Sequence, residues 1–390
     1  MHKVRTLNNI SGQGLDKFAP TKYELSPDHS NPEAILLRSY KLTPDDITPG
    51  LMAVGRAGAG VNNVPVDVCT ERGVVVFNTP GANANAVKEL VMAGLLLSRR
   101  GIISGIDYVN SLSETTDKAE LNKTVEAAKK QFKGTELKGR TMGVLGLGAI
   151  GSMVAEMALQ MEMKVLGFDP ALSVEAAWRL SSHVQKMDNM QALFAQSDVV
   201  SIHVPALDST RGMINKESLA SFRDGAVLLN FAREELVNTD DMIEALASGK
   251  ISQYISDFPT PGLIGRKGVI STPHLGASTE EAEVNCAMMV ADQMIDFLEN
   301  GNIRNSVNYP ALALERTDGF RLALSNNNVP RILGSVLSIL ADRNINVIDM
   351  LNKSRNDIAY NLIDVASEPT PDLLADIGKI EGVINVRSLG

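Results

Sequence analysis

Cysteine is scarce in this 390-residue chain: Cys69 and Cys286 are the only two, far apart and in no CxxC or metal-ligand spacing. A disulfide framework and a metal site are therefore not indicated, and a reducing cytoplasm is the expected setting. Long apolar runs are missing too. No stretch reaches the roughly 18 uncharged apolar residues of a membrane span, and the opening MHKVRTLNNISGQGL has no apolar core of signal-peptide length. A soluble cytosolic protein with no membrane partner is expected. Positive charge is in deficit: 37 Lys and Arg against 46 Asp and Glu give a formal charge of -9. A general polyanion binder needs a basic surface, so nucleic acid is not an expected partner. Any anionic ligand must meet a local cluster of arginines or lysines.

At 44% hydrophobic and 21% charged residues, the composition is that of an ordinary soluble protein, and the length predicts two or three domains. From Met1 to about Ala84, short apolar runs (AILLRS, LMAVGR, VVVFN) alternate with Gly- and Pro-bearing loops, which suggests a small α/β unit. A helical stripe follows through Val87, Leu90, Val91, Leu95 and Leu96. The polar stretch from Ser111 to Lys133 reads as a solvated helix linking two domains. From Arg140 to about Pro273, β-like runs (TMGVLG, KVLGFD, DVVSIHV, AVLLNF, QYISDF, GVIST) alternate regularly with helical segments, the pattern of a parallel sheet with helices on both faces. The helix-like EAEVNCAMMVADQMIDFLENG then carries the chain back to the first domain, making that domain discontinuous. From about Gly319 the order reads β-α-β-β-α-β, a small ferredoxin-like sandwich. The expected α/β architecture is a small discontinuous domain (1–90 with 285–312), a doubly wound domain (91–284) and a C-terminal ferredoxin-like domain (317–390).

Gly146-Leu-Gly148-Ala149-Ile150-Gly151 is a GxGxxG placed after a strand-like run and before a helical one. The first glycine permits a tight turn, the second lets backbone amides approach a pyrophosphate, and the third lets helix and strand pack closely. The next strand ends at Asp169, about 20 residues on, where an acid accepts from ribose hydroxyls and repels a 2′-phosphate. NAD is the expected cofactor.

Ligands of open parallel sheets bind beyond the carboxyl ends of the strands. His203, Arg233, Asp257 and His274 all follow such ends. Oxidation of a 2-hydroxy acid needs a grip on the carboxylate, which a guanidinium supplies with two parallel hydrogen bonds, and a base for the hydroxyl proton, which an imidazole supplies. Arg233 is the candidate anchor; His274 and His203 are both candidate bases, and residue chemistry leaves the choice open.

In the segments VGRAGAGVNNVPVD, GTELKGRTMGVLGLGAIG, SDVVSIHVP, NFAR, SDFPTP and TPHLGASTEEA, in this order and spacing, the chain resembles the D-2-hydroxyacid dehydrogenase family over nearly its whole length. The resemblance implies that the doubly wound domain is a Rossmann-type NAD-binding domain and the discontinuous one a flavodoxin-like substrate domain, and that Arg233 and His274 are catalytic, holding the carboxylate and moving the proton. It implies that Asp257 touches the nicotinamide carboxamide, and that His203, Pro205, Thr210, Ala232, His274 and Gly276 join the glycine loop and Asp169 around NAD. Arg38, Ser39, Arg56 and Asn83 resemble the positions that bind the substrate's phosphate and backbone, beside Arg233 and His274, and Lys129 and Lys130 are further candidates to reach the cleft. The implied substrate is 3-phospho-D-glycerate, oxidised in the first step of L-serine synthesis with domain closure excluding water. The alternatives are a reductase of glyoxylate or hydroxypyruvate, and a non-catalytic NAD-sensing protein. A homodimer or homotetramer is implied, with the helix from Asn85 to Arg99 at its interface.

One departure stands out. The family text DVFxxEP, whose glutamate pairs with the histidine, reads Asp257-Phe-Pro-Thr-Pro261 here. His274 thus loses a pKa-raising carboxylate unless another acid substitutes, with Glu234 and Glu235 the candidates by sequence proximity. The tail resembles an ACT domain, a module that senses amino acids. There Asn328 and Asn346 match serine-binding asparagines, so L-serine is the implied effector. The usual histidine and glycine of that motif are Asn326 and Arg331.

Overall fold

Each apolar run of the first eighty residues is a strand in the computed structural model, which describes every residue except Arg179 and Gly390. His2–Leu7 (β1), Tyr23–Ser26 (β2), Ala34–Leu37 (β3), Ala53–Arg56 (β4) and Val75–Phe77 (β5) pair in parallel in the order β2-β1-β3-β4-β5. This is the flavodoxin-like order. Strand β3 is buried at all four residues, which is why it reads as a continuous apolar run; β1 is buried only at Val4 and Leu7 and β2 only at Tyr23, so neither gave such a signal. The helix Glu280–Asn300 lays Val290, Met294 and Phe297 into the same core. Its Phe297 ring meets Phe77 at 5.5 Å.

The C-terminal strands Phe320–Asn327 (β13 in chain order, after seven strands of the second unit), Val347–Arg355 (β14), Ile358–Val365 (β15) and Val383–Leu389 (β16) form an antiparallel sheet ordered β14-β15-β13-β16. The helices Ile332–Asp342 and Pro371–Gly378 cover one face through Leu324, Val336, Leu340, Ile363 and Leu373. Because strand side chains alternate faces, Ala323, Tyr360, Leu362 and Leu389 point the other way and join the core of Phe77, Met294 and Phe297. This sheet is therefore built into the first of two compact units, Met1–Asn83 with Glu280–Gly390. Arg321, 0% exposed, secures the seam. Its five N–H groups reach Asp364 twice and the carbonyls of Asn300, Leu314 and Glu315. Arg387 caps Phe297, its guanidinium 4.3 Å from the ring centroid.

The second unit, Ala84–Thr279, holds Thr141–Leu145 (β6), Lys164–Phe168 (β7), Val184–Lys186 (β8), Val199–Ile202 (β9), Ala226–Asn230 (β10), Ile251–Ser256 (β11) and Val269–Ser271 (β12). All pair in parallel in the order β12-β11-β10-β9-β6-β7-β8, a doubly wound sheet whose order reverses at β6. Strand β8 has no buried residue, so no apolar run announced it. The helix Ala84–Arg99 places Val87, Val91 and Leu95 in this unit's core with Val154 and Ala158 of the helix Ala149–Gln160. That stripe is thus an internal face. The polar segment from Ser111 to Lys133 does not link two domains, contrary to the sequence expectation. Its helix Lys118–Ala128, capped by Asp117 and without a buried residue, is an excursion within the second unit.

Candidate active site

The register of the second sheet puts six strand ends in one row. Phe168, Leu145, Ile202, Asn230, Ser256 and Ser271 are successive partners across β7, β6, β9, β10, β11 and β12. With neighbouring strands about 4.8 Å apart the row is roughly 24 Å long. Asp169, Gly146, His203 and Asp257 follow these ends directly and Arg233 and His274 three residues on, so these expected site residues leave one edge of one sheet.

At the switch point, Gly146 has φ +88 and a Cβ there would lie 2.7 Å from the His203 carbonyl oxygen. A Cβ on Gly151 would lie 1.9 Å from the Gly146 oxygen, which makes the third glycine a requirement of chain packing. Gly148 caps the helix with no side chain and faces open space. The first amides of that helix, Ala149 to Gly151, are turned toward this space without partners of the helical ladder. Asp169 accepts from the amides of Leu147 (2.8 Å) and Ala171 (2.9 Å), which fixes its carboxylate beside the glycine loop with lone pairs to spare. An open cradle of orphan amides and a fixed acid one strand away fit a dinucleotide: pyrophosphate at the amides, ribose at Asp169.

His203 lies against Ser201, whose Oγ is 2.8 Å from Nε2, and its Nδ1 is enclosed without a partner among the described residues. Part of the residue is accessible, but Nδ1 is shut in, and burial pulls its pKa down to about 3. A group so hard to protonate is a poor base, which weakens His203 as one of the two candidates left open by the sequence. Thr210 uses its hydroxyl within its own turn, donating to the Pro205 oxygen (2.6 Å) and accepting from the Leu207 amide (2.8 Å).

Arg233 is held by a residue the sequence reading passed over. Asn230, 0% exposed at the end of an otherwise apolar strand, accepts from the amides of Ala232 (3.2 Å) and Arg233 (3.3 Å) and donates to the Arg233 oxygen (2.8 Å). A polar residue closing AVLLN was the available signal. The Arg233 guanidinium donates to the Ala232 oxygen at 2.6 Å, and among the described residues it has no carboxylate partner. It is a half-buried cation with donors to spare for an anion.

His274 has φ +59, a left-handed conformation uncommon outside glycine. Asp257, 1% exposed, holds the loop in this shape: Oδ1 accepts from Thr272 Oγ1 (2.6 Å) and the Leu275 amide (2.7 Å), and Oδ2 from the Gly276 amide (2.7 Å). The His274 amide donates to the Asp257 carbonyl oxygen (3.0 Å). All these donors are the protein's own, which makes Asp257 the residue that positions His274. The imidazole is exposed, its ring 5.0 Å from that of Phe258. Among the described residues no carboxylate is paired with it; neither Glu234 nor Glu235 takes the place of the family's glutamate.

In the first unit, Leu37 pairs with Arg56, so Arg38 and Arg56 sit side by side at the carboxyl edge of β3 and β4. Arg56 Nε donates to the Arg38 carbonyl oxygen (3.1 Å), the Ser39 amide donates to Asn8 (3.0 Å), and Asn83 Oδ1 is enclosed without a partner among the described residues. Arg38 is ion-paired with Glu283 at 2.6 Å, a neighbour the sequence gave no reason to expect. Lys129 pairs with Glu126 one turn away. A cavity of about 710 Å³ flanks the helix Glu280–Asn300 and includes Gly81, Ala82, Gln293 and Arg304; none of the expected site residues lines it.

Residues 106–276 match the model of the D-isomer specific 2-hydroxyacid dehydrogenase, NAD binding domain. The chain is similar to the D-3-phosphoglycerate dehydrogenase of Methanocaldococcus jannaschii, 33% identical over 382 residues (94% of this chain, 69% of the relative). That of Haemophilus influenzae is 31% identical over 356 residues (88% and 82%), and that of Archaeoglobus fulgidus 32% over 334 residues (80% of this chain). The chain spans 60% of the length of the Archaeoglobus relative. Among solved structures, the NAD+-bound 3-phosphoglycerate dehydrogenase of Entamoeba histolytica superposes with a TM-score of 0.62 at 24% identity, covering 80% of this chain and 99% of its own. The glyoxylate reductase of Paecilomyes thermophila gives 0.65 at 21%, covering 78% and 98%; both attest the shared fold. With relatives above 30% identity matched over more than two thirds of their length, the chain belongs to the D-isomer specific 2-hydroxyacid dehydrogenase family, in its D-3-phosphoglycerate dehydrogenase branch.

Proposed function

We propose that the protein oxidises 3-phospho-D-glycerate with NAD to 3-phosphohydroxypyruvate, the entry to L-serine synthesis. The observation that carries this reading is the single row of strand ends, which brings a guanidinium without a carboxylate partner among the described residues (Arg233) and an exposed imidazole (His274) to the edge that also carries the glycine loop. Bound NAD supplies the acceptor for the hydride that leaves C2. Arg233 grips the substrate carboxylate with two parallel hydrogen bonds, fixing C2 and its hydroxyl. His274 takes the hydroxyl proton as the C2–O bond becomes a carbonyl, so the substrate loses one hydride and one proton. Arg38 and Arg56 are assigned to the phosphate, whose double charge needs a local positive site in an acidic chain.

The test is NADH formation from 3-phospho-D-glycerate at alkaline pH with a trap for the keto acid. Arg56→Ala should raise KM about 10- to 100-fold for the phosphorylated substrate, as expected for a lost charged hydrogen bond of about 1.5–3 kcal/mol, and far less for D-glycerate. An equal effect on both would move the assignment to an unphosphorylated 2-hydroxy acid. No NADH with any of them would favour a non-catalytic NAD-binding role.

Feedback by L-serine through an ACT-type tail is part of the same reading. Asn328 follows the end of β13 that pairs with Ile358, whereas Asn346 accepts from Ala366 beyond the other end of β15. Eight residues of strand, roughly 25 Å, separate them, so one serine touching both must lie between two copies of the chain. A homodimer or homotetramer fits this, and Ile102, Ile106 and Val109 of the helix Ile102–Ser111, 41–55% exposed, are a candidate contact. Among the described residues no helix is long and apolar enough to cross a membrane. Cys69 and Cys286 are free thiols, as a cytoplasmic setting would keep them.

A further inference from the structure

We propose that Glu283 is the resident anion of the phosphate subsite: its carboxylate neutralises Arg38 when no ligand is bound and must let go before a phosphate monoester is gripped. It thereby sets how strongly the site prefers phosphorylated over unphosphorylated ligands. This rests on the assignment of Arg38 to the phosphate made above.

Two observations place Glu283 in this role. The first is direct contact: Glu283 Oε1 lies 2.6 Å from Arg38 Nη1. The second is the orientation of its helix. Cys286, one turn further on the same face and 4% exposed, feels the charges of Arg38, Arg56 and Glu283 together. The first turns of Glu280–Asn300 are therefore aimed at the paired ends of β3 and β4, where the Arg56 side chain donates to the Arg38 carbonyl oxygen. Glu283 meets the arginines as part of a packed face.

The pair is suited to release. Its side chains are 33% and 44% exposed, and an ion pair this open to water corresponds to only about a two- to five-fold bias in an equilibrium constant. A dianionic phosphate presents three oxygens and twice the charge of a carboxylate, so it outcompetes Glu283. The release penalty falls on every ligand with an anion at that end, substrate and product alike, and on none without one. Arg38 offers its full charge to a phosphate monoester only after Glu283 has turned away.

Glu283→Gln keeps the shape and removes the charge. The measurements are KM for 3-phospho-D-glycerate and for D-glycerate, and the competitive inhibition constant of inorganic phosphate, in the full chain with NAD. The KM ratio of D-glycerate to 3-phospho-D-glycerate is expected to rise about two- to five-fold, and the inhibition constant of phosphate to fall by a similar factor. In an Arg38→Gln background both effects should vanish, as a double-mutant cycle requires. An unchanged or lowered ratio in Glu283→Gln, while Arg38→Gln by itself still raises KM selectively for the phosphorylated substrate, overturns the role of Glu283 and leaves the phosphate assignment standing. An Arg38→Gln variant without that selectivity overturns both. A merely structural Glu283 would shift the two KM values together.

Discussion

Asp257→Asn tests how the histidine loop is held. The native carboxylate accepts three hydrogen bonds from the loop it supports, at 2.6, 2.7 and 2.7 Å, with Leu275 and Gly276 amides on different oxygens. Asparagine has the same shape but presents an NH2 group to one of those two amides, leaving a buried N–H facing another donor and stripping the remaining bonds of charge. An unmade buried bond costs about 1–3 kcal/mol and lost charge assistance adds about 1 more, so the loop loses about 2–4 kcal/mol. That exceeds the strain of about 1–2 kcal/mol in a left-handed non-glycine residue, which these bonds hold in place at His274. The relaxed loop should then win, with His274 displaced from the hydroxyl proton. At about 1.4 kcal/mol per tenfold, kcat/KM with 3-phospho-D-glycerate should fall about 10²-fold. NAD affinity, measured by fluorescence titration, should change only a few-fold, because the glycine loop and Asp169 are untouched. If kcat/KM stays within about threefold of the parent while the substitution is confirmed by mass, the claim that Asp257 positions His274 is wrong.

Gly151→Ala should abolish NAD binding in the same titration, because the new methyl carbon would sit 1.9 Å from the Gly146 oxygen and the turn must open; retained affinity would refute the close-packing role. Arg321→Met should destabilise the first unit by about 3–5 kcal/mol, read by calorimetry, since it strands a buried carboxylate. Burial alone would push the Asp364 carboxyl up, but the hydrogen bonds from Arg321 and Thr317 and the Arg321 charge outweigh it and hold its pKa below the usual value. A depressed folded-state pKa contributes stability above the unfolded value near 4, and that stability is lost as pH falls through the folded value. The parent should therefore lose stability below about pH 4, and the Arg321→Met variant should lack most of that acid-side slope.

Much of the fold was legible because buried parallel strands must be continuously apolar: AILL, VVF, TMGVL and AVLLN are strands at those positions. Strands β1, β2 and β8 were not, since each has few buried residues and no run stands out. The glycine loop and Asp169 were legible because pyrophosphate binding demands residue types at fixed spacing. Asn230 and Glu283 were invisible as site-shaping residues: one acts within its own turn, and the other meets a residue 245 positions away.

By itself the sequence determined the strands that are buried along their length, the glycine loop with its acid, and an arginine suited to a carboxylate with two histidines left open beside it, because burial and phosphate binding constrain residue types locally. Tertiary structure alone decided that His203 is shut in and pulled down to about 3 while His274 stays exposed, that Asp257 is turned onto the histidine loop, and that Arg38 already holds an anion. Protonation, loop shape and charge pairing depend on what lies within a few ångströms in space, and distance along the chain does not report that.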